Sequence, residues 1–424
     1  MKTDIVIVGC GVSGLYCALS LPQDKKIVII TKDAADKSDS FLAQGGICVL
    51  RDEHDYDAYF EDTMRAGHYE NNKRSVDIMI RSSREVIDKL VQYGVEFERE
   101  NGEFLYTKEG AHSRPRILFH EDETGKEITS KLLAAVRKLP NVTLIEGYTM
   151  VDIATDENGC LGIIGHDTHG NYSAIEADYT VLATGGIGGL YAHSTNFAHL
   201  TGDALAVAIK HGIKLKNIDY IQIHPTTLYT AKKGREFLIS ESVRGEGAIL
   251  LNAAGERFVN ELLPRDVVAN AIHEQMKKDG TPHVWLSMAP IPEQEIRTHF
   301  PNIYQHCLDE GYDVTKEPIP VVPAQHYFMG GIDVNEYSKT SMDRLYAVGE
   351  TACNGVHGRN RLASNSLLES LVFAARAAKN ISENYTRLAT YAQITAAPAA
   401  YENYKEIYRR IVLDAIEKER ASHE

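Results

Sequence analysis

The chain opens on a β-branched apolar run, Asp4 to Val8, passes Gly9, Gly11 and Gly14, continues with helical period to Leu21, and returns to an apolar run from Lys26 to Thr31. Short apolar runs bounded by turn residues predict buried strands, so Thr3 to Lys32 reads as strand, helix, strand. Asn72 to Tyr93 has helical period, and another helix follows Thr124-Gly125. Val142 to Tyr179 breaks into short runs around an Asp156 to Gly159 turn, a β-meander leading into the buried strand of Ala177 to Gly186. Leu200 to Gly212 starts on Thr201-Gly202-Asp203, a start suited to N-capping, and continues as an Ala-rich helix. From Asp219 to Gln325 the rhythm changes to short strands, one amphipathic helix (Asp266 to Lys278) and Pro punctuation, which marks an inserted second domain. Thr340 to Glu350 is again a strand, closing on Gly349-Glu350. The tail, Ile381 to Glu424, has room for a helix or two, with a break at A-A-P-A-A and a charged amphipathic helix from Tyr401 to Arg420.

The first glycines stand at G-x-G-x-x-G spacing between a strand and a helix, the context in which backbone N–H groups and a helix N-terminus hold a pyrophosphate. Gly9, Gly11, Val12, Ser13 and Gly14 are therefore candidate dinucleotide contacts. Where many such folds end the second strand in Asp or Glu, this chain has Thr31 and Lys32, so the ribose contact is made another way. A length of 424 residues predicts two or three domains. A net charge of -14 argues against a nucleic-acid surface, which needs clustered Lys and Arg. The 6 cysteines form no C-x-x-C pair and several lie in apolar segments, which favours a reducing cytoplasm without an iron–sulfur cluster or other metal. Met1 runs straight into the first strand and no apolar run approaches membrane-spanning length, so neither a signal peptide nor a membrane span is expected.

Together with the N-terminal unit, A-D-Y-T-V-L-A-T-G-G (Ala177 to Gly186) and T-S-M-D-R-L-Y-A-V-G-E (Thr340 to Glu350) resemble the three-part signature of FAD enzymes of the glutathione-reductase type. That resemblance implies FAD, with Ala183, Thr184, Gly185, Gly349 and Glu350 near it and Glu350 beside the ribityl chain. It also implies flavin contact at Thr201 and Asp203. The loop K-S-D-S-F-L-A-Q-G-G, Lys37 to Gly46, resembles the loop beside the flavin in succinate dehydrogenase and fumarate reductase flavoproteins. Ser38, Ser40, Ala43, Gln44, Gly45 and Gly46 become cofactor candidates. In those complexes a loop histidine carries covalent FAD; Asp39 stands at that position and cannot form the link, so the FAD is expected to be non-covalent.

A charge-rich stretch follows, T-K-E-G-A-H-S-R-P-R-I-L-F-H-E-D-E-T-G, in which Glu121, Asp122 and Glu123 read as solvated. T-K-E-G-A-H-S is similar to a motif of the L-aspartate oxidase family, whose Glu faces the substrate amino group; Lys108 and Ala111 are departures from it. Q-I-H-P-T-T (Gln222 to Thr227), L-I-S-E-S-V-R-G-E-G (Leu238 to Gly247) and P-R-D (Pro264 to Asp266) resemble the capping domain of the same flavoproteins. P-A-Q-H-Y-F-M-G-G carries His326, and G-R-N-R-L-A-S-N-S-L-L-E-S carries Arg361 with the flavin-contacting Asn365, Ser366 and Leu367. Members commonly add a helical C-terminal domain, from which this short tail departs.

The resemblance implies an α/β protein: a doubly wound, glutathione-reductase-type Rossmann domain for FAD (1–217 and 328–385), an inserted α+β capping domain (218–327) and a short helical C-terminus (386–424). It implies oxidation of L-aspartate to iminoaspartate, with oxygen or fumarate reoxidising the flavin, in the cytoplasm, as the step before quinolinate synthase in NAD synthesis. Recognition of a dicarboxylate calls for Arg, whose planar fork pairs bidentately with carboxylates. His224, Ser240 and their neighbours Gln222 and Glu241 would hold one carboxylate, Arg361 and His326 the other. Glu109 would face the amine, and Arg265 would transfer the proton when fumarate is reduced. Two alternatives stand beside this reading: a soluble fumarate reductase or succinate dehydrogenase flavoprotein, disfavoured by Asp39 and Glu109, and a non-catalytic flavoprotein serving electron transfer or assembly.

Overall fold

The computed structural model describes residues 1–230, 234–388 and 397–423. Strand β1 (Lys2–Val8), helix α1 (Val12–Ser20) and strand β2 (Ile27–Thr31) form the N-terminal unit. Helix α2 (Lys73–Gln92) starts on Asn72, whose side chain accepts from the Arg74 and Ser75 N–H groups, and helix α3 (Thr124–Val136) leads into strand β3 (Val142–Glu146). Strands β4 (Thr149–Asp156), β5 (Gly159–His166) and β6 (Tyr172–Leu182) complete this half. β3, β2, β1 and β6 lie parallel in that order, and the first half of β6 pairs antiparallel with β5.

The meander is therefore one strand shorter than its apolar runs predict. Val142–Glu146 is the parallel edge strand beside β2, delivered there by α3, and the chain reverses into β4 at Gly147, whose φ of +68° suits glycine. A crossover helix decides strand direction, and local periodicity does not report it.

Helix α4 (Asp203–Lys210) begins on Gly202 with no side-chain cap. Thr201 is not the N-cap: its hydroxyl donates to Asp203 Oδ1 at 2.7 Å. Next come strand β7 (Ile221–Leu228), strand β8 (Phe237–Leu238), helix α5 (Glu241–Gly245), strand β9 (Ile249–Leu251), helix α6 (Arg265–Asp279), strand β10 (Val284–Ser287) and strand β11 (Ile319–Phe328). They build an antiparallel sheet in the order β8, β7, β11, β10, β9, with its own core around Val268, Ile272, Leu286, Ile303 and Val321. Strand β12 (Leu345–Ala347) returns to pair parallel with the end of β6, and helix α7 (Asn365–Glu383) packs on α1. Helix α8 (Tyr404–His423) buries Tyr404, Tyr408, Val412 and Ile416, one per turn, beneath α4. Residue 396, the first of the A-A-P-A-A break, lies outside the described residues.

Asp122 departs from the solvated reading. It is 2% exposed and accepts from Asn302 N, Asn302 Nδ2 and Ile303 N at 3.2, 2.7 and 2.7 Å, tying the first half of the chain to the start of the helix Pro301–Asp309. Uncapped helix N–H groups and a macrodipole make that end a favourable place for a carboxylate.

Candidate active site

A cavity of about 220 Å³ opens where α1 starts and β1, β6 and β12 end. Gly9, Gly11, Val12, Ser13, Thr31, Lys32, Ser38, Ser40, Ala43 and Gln44 line it, with Ala183, Thr184, Gly185, Thr201, Asp203, Glu350, Ser366 and Leu367. Gly14, Gly45, Gly46, Gly349 and Asn365 do not. Gly14 instead lets α1 settle on the first turn, since a Cβ there would meet the Gly9 carbonyl oxygen. Asn365 is fully buried, accepting from Tyr59 and donating to Thr63. Gly11 caps α1 with no side-chain acceptor, and Val12 N–H reaches only the Ser40 hydroxyl. Lys32 Nζ binds Asp203 Oδ2 at 2.6 Å and the His199 carbonyl at 2.9 Å, so the charge that replaces the usual ribose carboxylate is already neutralised.

Three polar atoms of the loop 38–44 are buried without a partner: Ser38 Oγ, Asp39 Oδ2 and Gln44 Oε1. Unsatisfied buried polar atoms are rare and point to a missing partner. Together with the glycine turn and the uncapped helix, they make a cradle that fits a bound FAD. Asp39 Oδ1 accepts from Phe197 N–H, and burial raises its carboxyl to about 7 against the pull of that bond and of Arg235. Burial, with Asp39 second, raises Glu350 to about 8 while it accepts from Phe328 N–H.

His326 and Arg361 stand at the far end of the cavity, and behind them the cap closes over a charged cluster. Register places Gln222 opposite Tyr327 and His224 opposite Ala324, so β7 and β11 bring His224 and His326 to 5.0 Å between ring centroids. Both rings are held well below the usual imidazole range by burial and then by Arg265, so both are neutral. His224 Nε2 has no partner, while His326 Nδ1 meets Thr195 Oγ1 at 2.7 Å. Arg265, at the start of α6, donates to Glu241 Oε2 at 2.5 Å and Gln222 Oε1 at 2.9 Å. Arg361 reaches the same Gln222 oxygen at 3.3 Å and Ser366 Oγ at 2.5 Å, and burial followed by Arg265 lowers its guanidinium to about 10. Among the described residues Arg361 has no carboxylate partner. Two buried guanidinium groups thus share one neutral oxygen.

Glu109 is 3% exposed and accepts from Ser242 Oγ at 2.7 Å and Ser364 Oγ at 2.6 Å. Burial and then Glu241 raise its carboxyl. Ser240 caps α5 and spends its hydroxyl on Ser242. The loop holding Glu109 is anchored by Arg116, whose fully buried guanidinium binds Asp55 and Asp62 and also faces His112 Nδ1 at 3.1 Å, while His112 Nε2 meets the Ala363 carbonyl. Burial and Arg116 lower His112 to about 4.

Of the residues predicted for substrate, only His326 and Arg361 line the cavity; Gln222, His224, Ser240, Glu241, Glu109 and Arg265 form the closed cluster beside it. Sequence reasoning passed over Ser242, Ser364, Arg244 and Arg116. Arg244 lies within S-E-S-V-R-G, and its identity as a fully buried arginine 3.4 Å from Glu241 emerges only in three dimensions.

The FAD binding domain family matches residues 4–367. An L-aspartate oxidase of Clostridium perfringens is 48% identical over 414 residues, 97% of this chain and 94% of its own length. One from Clostridium acetobutylicum is 48% identical over 386 residues, 91% of this chain and 89% of its own. Among solved structures, a mutant quinol fumarate reductase chain of E. coli superposes with a TM-score of 0.86 at 30% identity, over 96% of this chain and 74% of that one.

Proposed function

The chain belongs to the family of L-aspartate oxidases, flavoproteins built on an FAD binding domain, and from that premise we propose how its own residues serve the reaction. The protein is an FAD-dependent oxidoreductase that converts L-aspartate to iminoaspartate, the first step of de novo NAD biosynthesis. Segments 1–217 and 328–385 are taken as the cofactor domain, 218–327 as the cap and 386–424 as a helical appendix.

Gly9, Gly11 and the α1 N-terminus would hold the pyrophosphate, with Lys32, Thr201 and Asp203 at the ribose end and Ser38, Asp39, Gln44 and Glu350 along the flavin and ribityl chain. The chemistry FAD supplies when bound is two-electron oxidation, taking hydride from the substrate Cα. The residues of the cluster then orient L-aspartate. Arg361 with His326 takes one carboxylate and His224 the other, while Glu109 faces the ammonium. Arg265, held by Glu241 and Gln222, donates the proton when fumarate is reduced, and Glu241 links it to Arg244 for its reprotonation. Closure of the cap excludes water, which strengthens each of these contacts.

The observation that carries this reading is the excess of buried positive charge: Arg244, Arg265 and Arg361 stand against Glu241 and Glu109, a surplus of one that L-aspartate, with two carboxylates and one ammonium, balances. Fumarate and oxygen are proposed as electron acceptors, the former supported by likeness to the fumarate reductase chain. The imine product hydrolyses in water, which supports a functional link to quinolinate synthase. Six buried free cysteines support a reducing cytoplasm, and no described helix is long and apolar enough to cross a membrane.

Anaerobic L-aspartate should bleach the FAD-loaded protein and succinate should not; the reverse pattern would reinstate the succinate dehydrogenase reading. Glu109→Gln should lower kcat/KM for aspartate by about two decades, at about 1.4 kcal/mol per decade, and fumarate reduction much less. Equal loss of both would make Glu109 structural. Acid precipitation should leave the flavin in the supernatant, because Asp39 cannot tether it; colour in the pellet would reveal a covalent link elsewhere.

A further inference from the structure

Glu109 lies in a setting that by itself favours the protonated form. It is buried, Glu241 lies nearby, and a Cβ on Gly110 would stand 2.5 Å from Glu241 Oε1, so the Glu241 carboxylate packs against the turn that carries Glu109. The hydrogen bonds around it run the other way. Ser364 Oγ already accepts the Gly46 N–H at 3.1 Å, so its single proton is free to go to Glu109 Oε2 at 2.6 Å. Ser242 Oγ receives the Ser240 hydroxyl at 3.2 Å, while Ser240 Oγ accepts the Ser242 N–H at 3.3 Å, so the Ser242 proton goes to Glu109 Oε1 at 2.7 Å. A hydroxyl carries one donor and a protonated carboxyl must donate through one oxygen. With both oxygens of Glu109 receiving, that donation has no acceptor.

We propose that Ser242 and Ser364 are positioning residues that clamp Glu109 as an acceptor-only carboxylate, and that this clamp is what admits an amino dicarboxylate. The inference rests on the reading of Glu109 as the group facing the substrate ammonium. The two hydroxyls come from different parts of the fold, Ser242 from α5 over the substrate cluster and Ser364 from the residue before α7. Amine recognition therefore exists only where those parts meet. Gly45 belongs to the same device, since a Cβ there would come within 2.7 Å of Glu109 Oε1. Ser240, which the motif suggests as a carboxylate ligand, acts here by setting the direction of the Ser242 proton.

The test is the pH dependence of kcat/KM for L-aspartate in FAD-loaded wild type, Ser242→Ala, Ser242→Thr and Ser364→Ala, with fumarate reduction by a reduced dye as the parallel assay. Removing one donor to the carboxylate should move the acid limb of the aspartate profile up by about one pH unit or more, since a hydrogen bond to a charged group is worth roughly that much. At the pH below that limb the loss for aspartate should be about tenfold or greater, while fumarate reduction moves less than threefold. Ser242→Thr keeps the hydroxyl and should restore the wild-type limb. Bound flavin is measured in each variant, and Ser242 does not line the cofactor cavity, so its result stands if Ser364→Ala loses FAD. An unmoved acid limb in Ser242→Ala, with wild type still bleached by aspartate, overturns the clamp; wild type that aspartate does not bleach overturns the reading beneath it.

Discussion

Two buried clusters of arginine and carboxylate stand on either side of the loop that carries Glu109, and they are built from the same residue types to opposite ends. In the first, the Arg116 guanidinium is saturated: Asp55 takes Nε and Nη2 at 3.1 and 3.0 Å, Asp62 takes Nη1 at 2.7 Å, and Asp62 also meets Arg65 at 2.7 Å and Ser113. In the second, Arg244 keeps Nε and Nη2 without hydrogen-bond partners, His224 Nε2 is unpaired, and Arg361 meets no carboxylate among the described residues. The first cluster is complete without a ligand. The second has cations in surplus, and taking charge out of water without compensation is costly enough that such a surplus marks a place for an anion. Burial alone would not tell the two apart; the count of partners does.

The largest effect expected from breaking this contrast is on stability. Arg116→Met leaves Asp55 buried without a cation and Asp62 with Arg65 alone, and should destabilise the fold by about 3–5 kcal/mol, read as a fall in Tm or urea midpoint. Arg361→Leu should do the reverse: Tm unchanged or slightly raised, because the variant relieves repulsion with Arg265, while kcat/KM for both aspartate and fumarate falls by about two decades, each charge-assisted hydrogen bond being worth roughly 1.5–3 kcal/mol. If the two variants lose similar stability, the second cluster is as structural as the first.

Glu369 sharpens the comparison as a buried carboxyl with no cation partner among the described residues. It is 1% exposed, bonded to Asn354 and Ser370, and burial raises it from 4.5 to about 7. Because the folded value lies above the unfolded one, its contribution is fully present below about pH 4.5 and is lost as pH rises to about 7. Glu369→Gln cannot ionise, so its stability relative to wild type should climb between pH 5 and 7 by up to about 1.4 kcal/mol per pH unit. A pH-independent difference in urea unfolding would mean that Glu369 is ionised in the fold.

The smallest effect belongs to Ala111, which joins the clusters: its N–H donates to Leu262 O, its carbonyl accepts from Arg65, and its φ is +65°. Ala111→Gly should stabilise by about 1 kcal/mol or less, since the relief of left-handed strain is partly offset by glycine's larger entropy loss; destabilisation would show that the alanine methyl makes a packing contribution larger than that strain.

Much of the architecture was legible because it is written in local periods. The βαβ unit, the helices after Asn72 and Thr124 and the charged C-terminal helix all appear where apolar spacing put them. Val142–Glu146 escaped, because a parallel edge strand and a meander strand have the same local pattern and differ only in what crosses over to reach them. Asp122 escaped because a charged loop looks solvated until a helix end from elsewhere in the chain is brought against it. Thr201-Gly202-Asp203 reads as a capped helix start, yet Gly202 takes the cap position with no side chain to accept an N–H, and the Thr201 hydroxyl donates to Asp203.

By itself the sequence determined the glycine turn between β1 and α1: Gly9, Gly11 and Gly14 act through backbone conformation and close approach, properties that depend on neighbours in the chain. It also determined the inventory of arginines, histidines and the glutamate from which a dicarboxylate site is proposed. Only the tertiary structure decided which arginine is already neutralised and which is not, and in which direction the Ser242 and Ser364 protons point. The physical reason is that the energy of a buried charge is set by every other charge and donor within a few ångströms, and those groups come from segments as far apart as Glu109, Ser242 and Ser364.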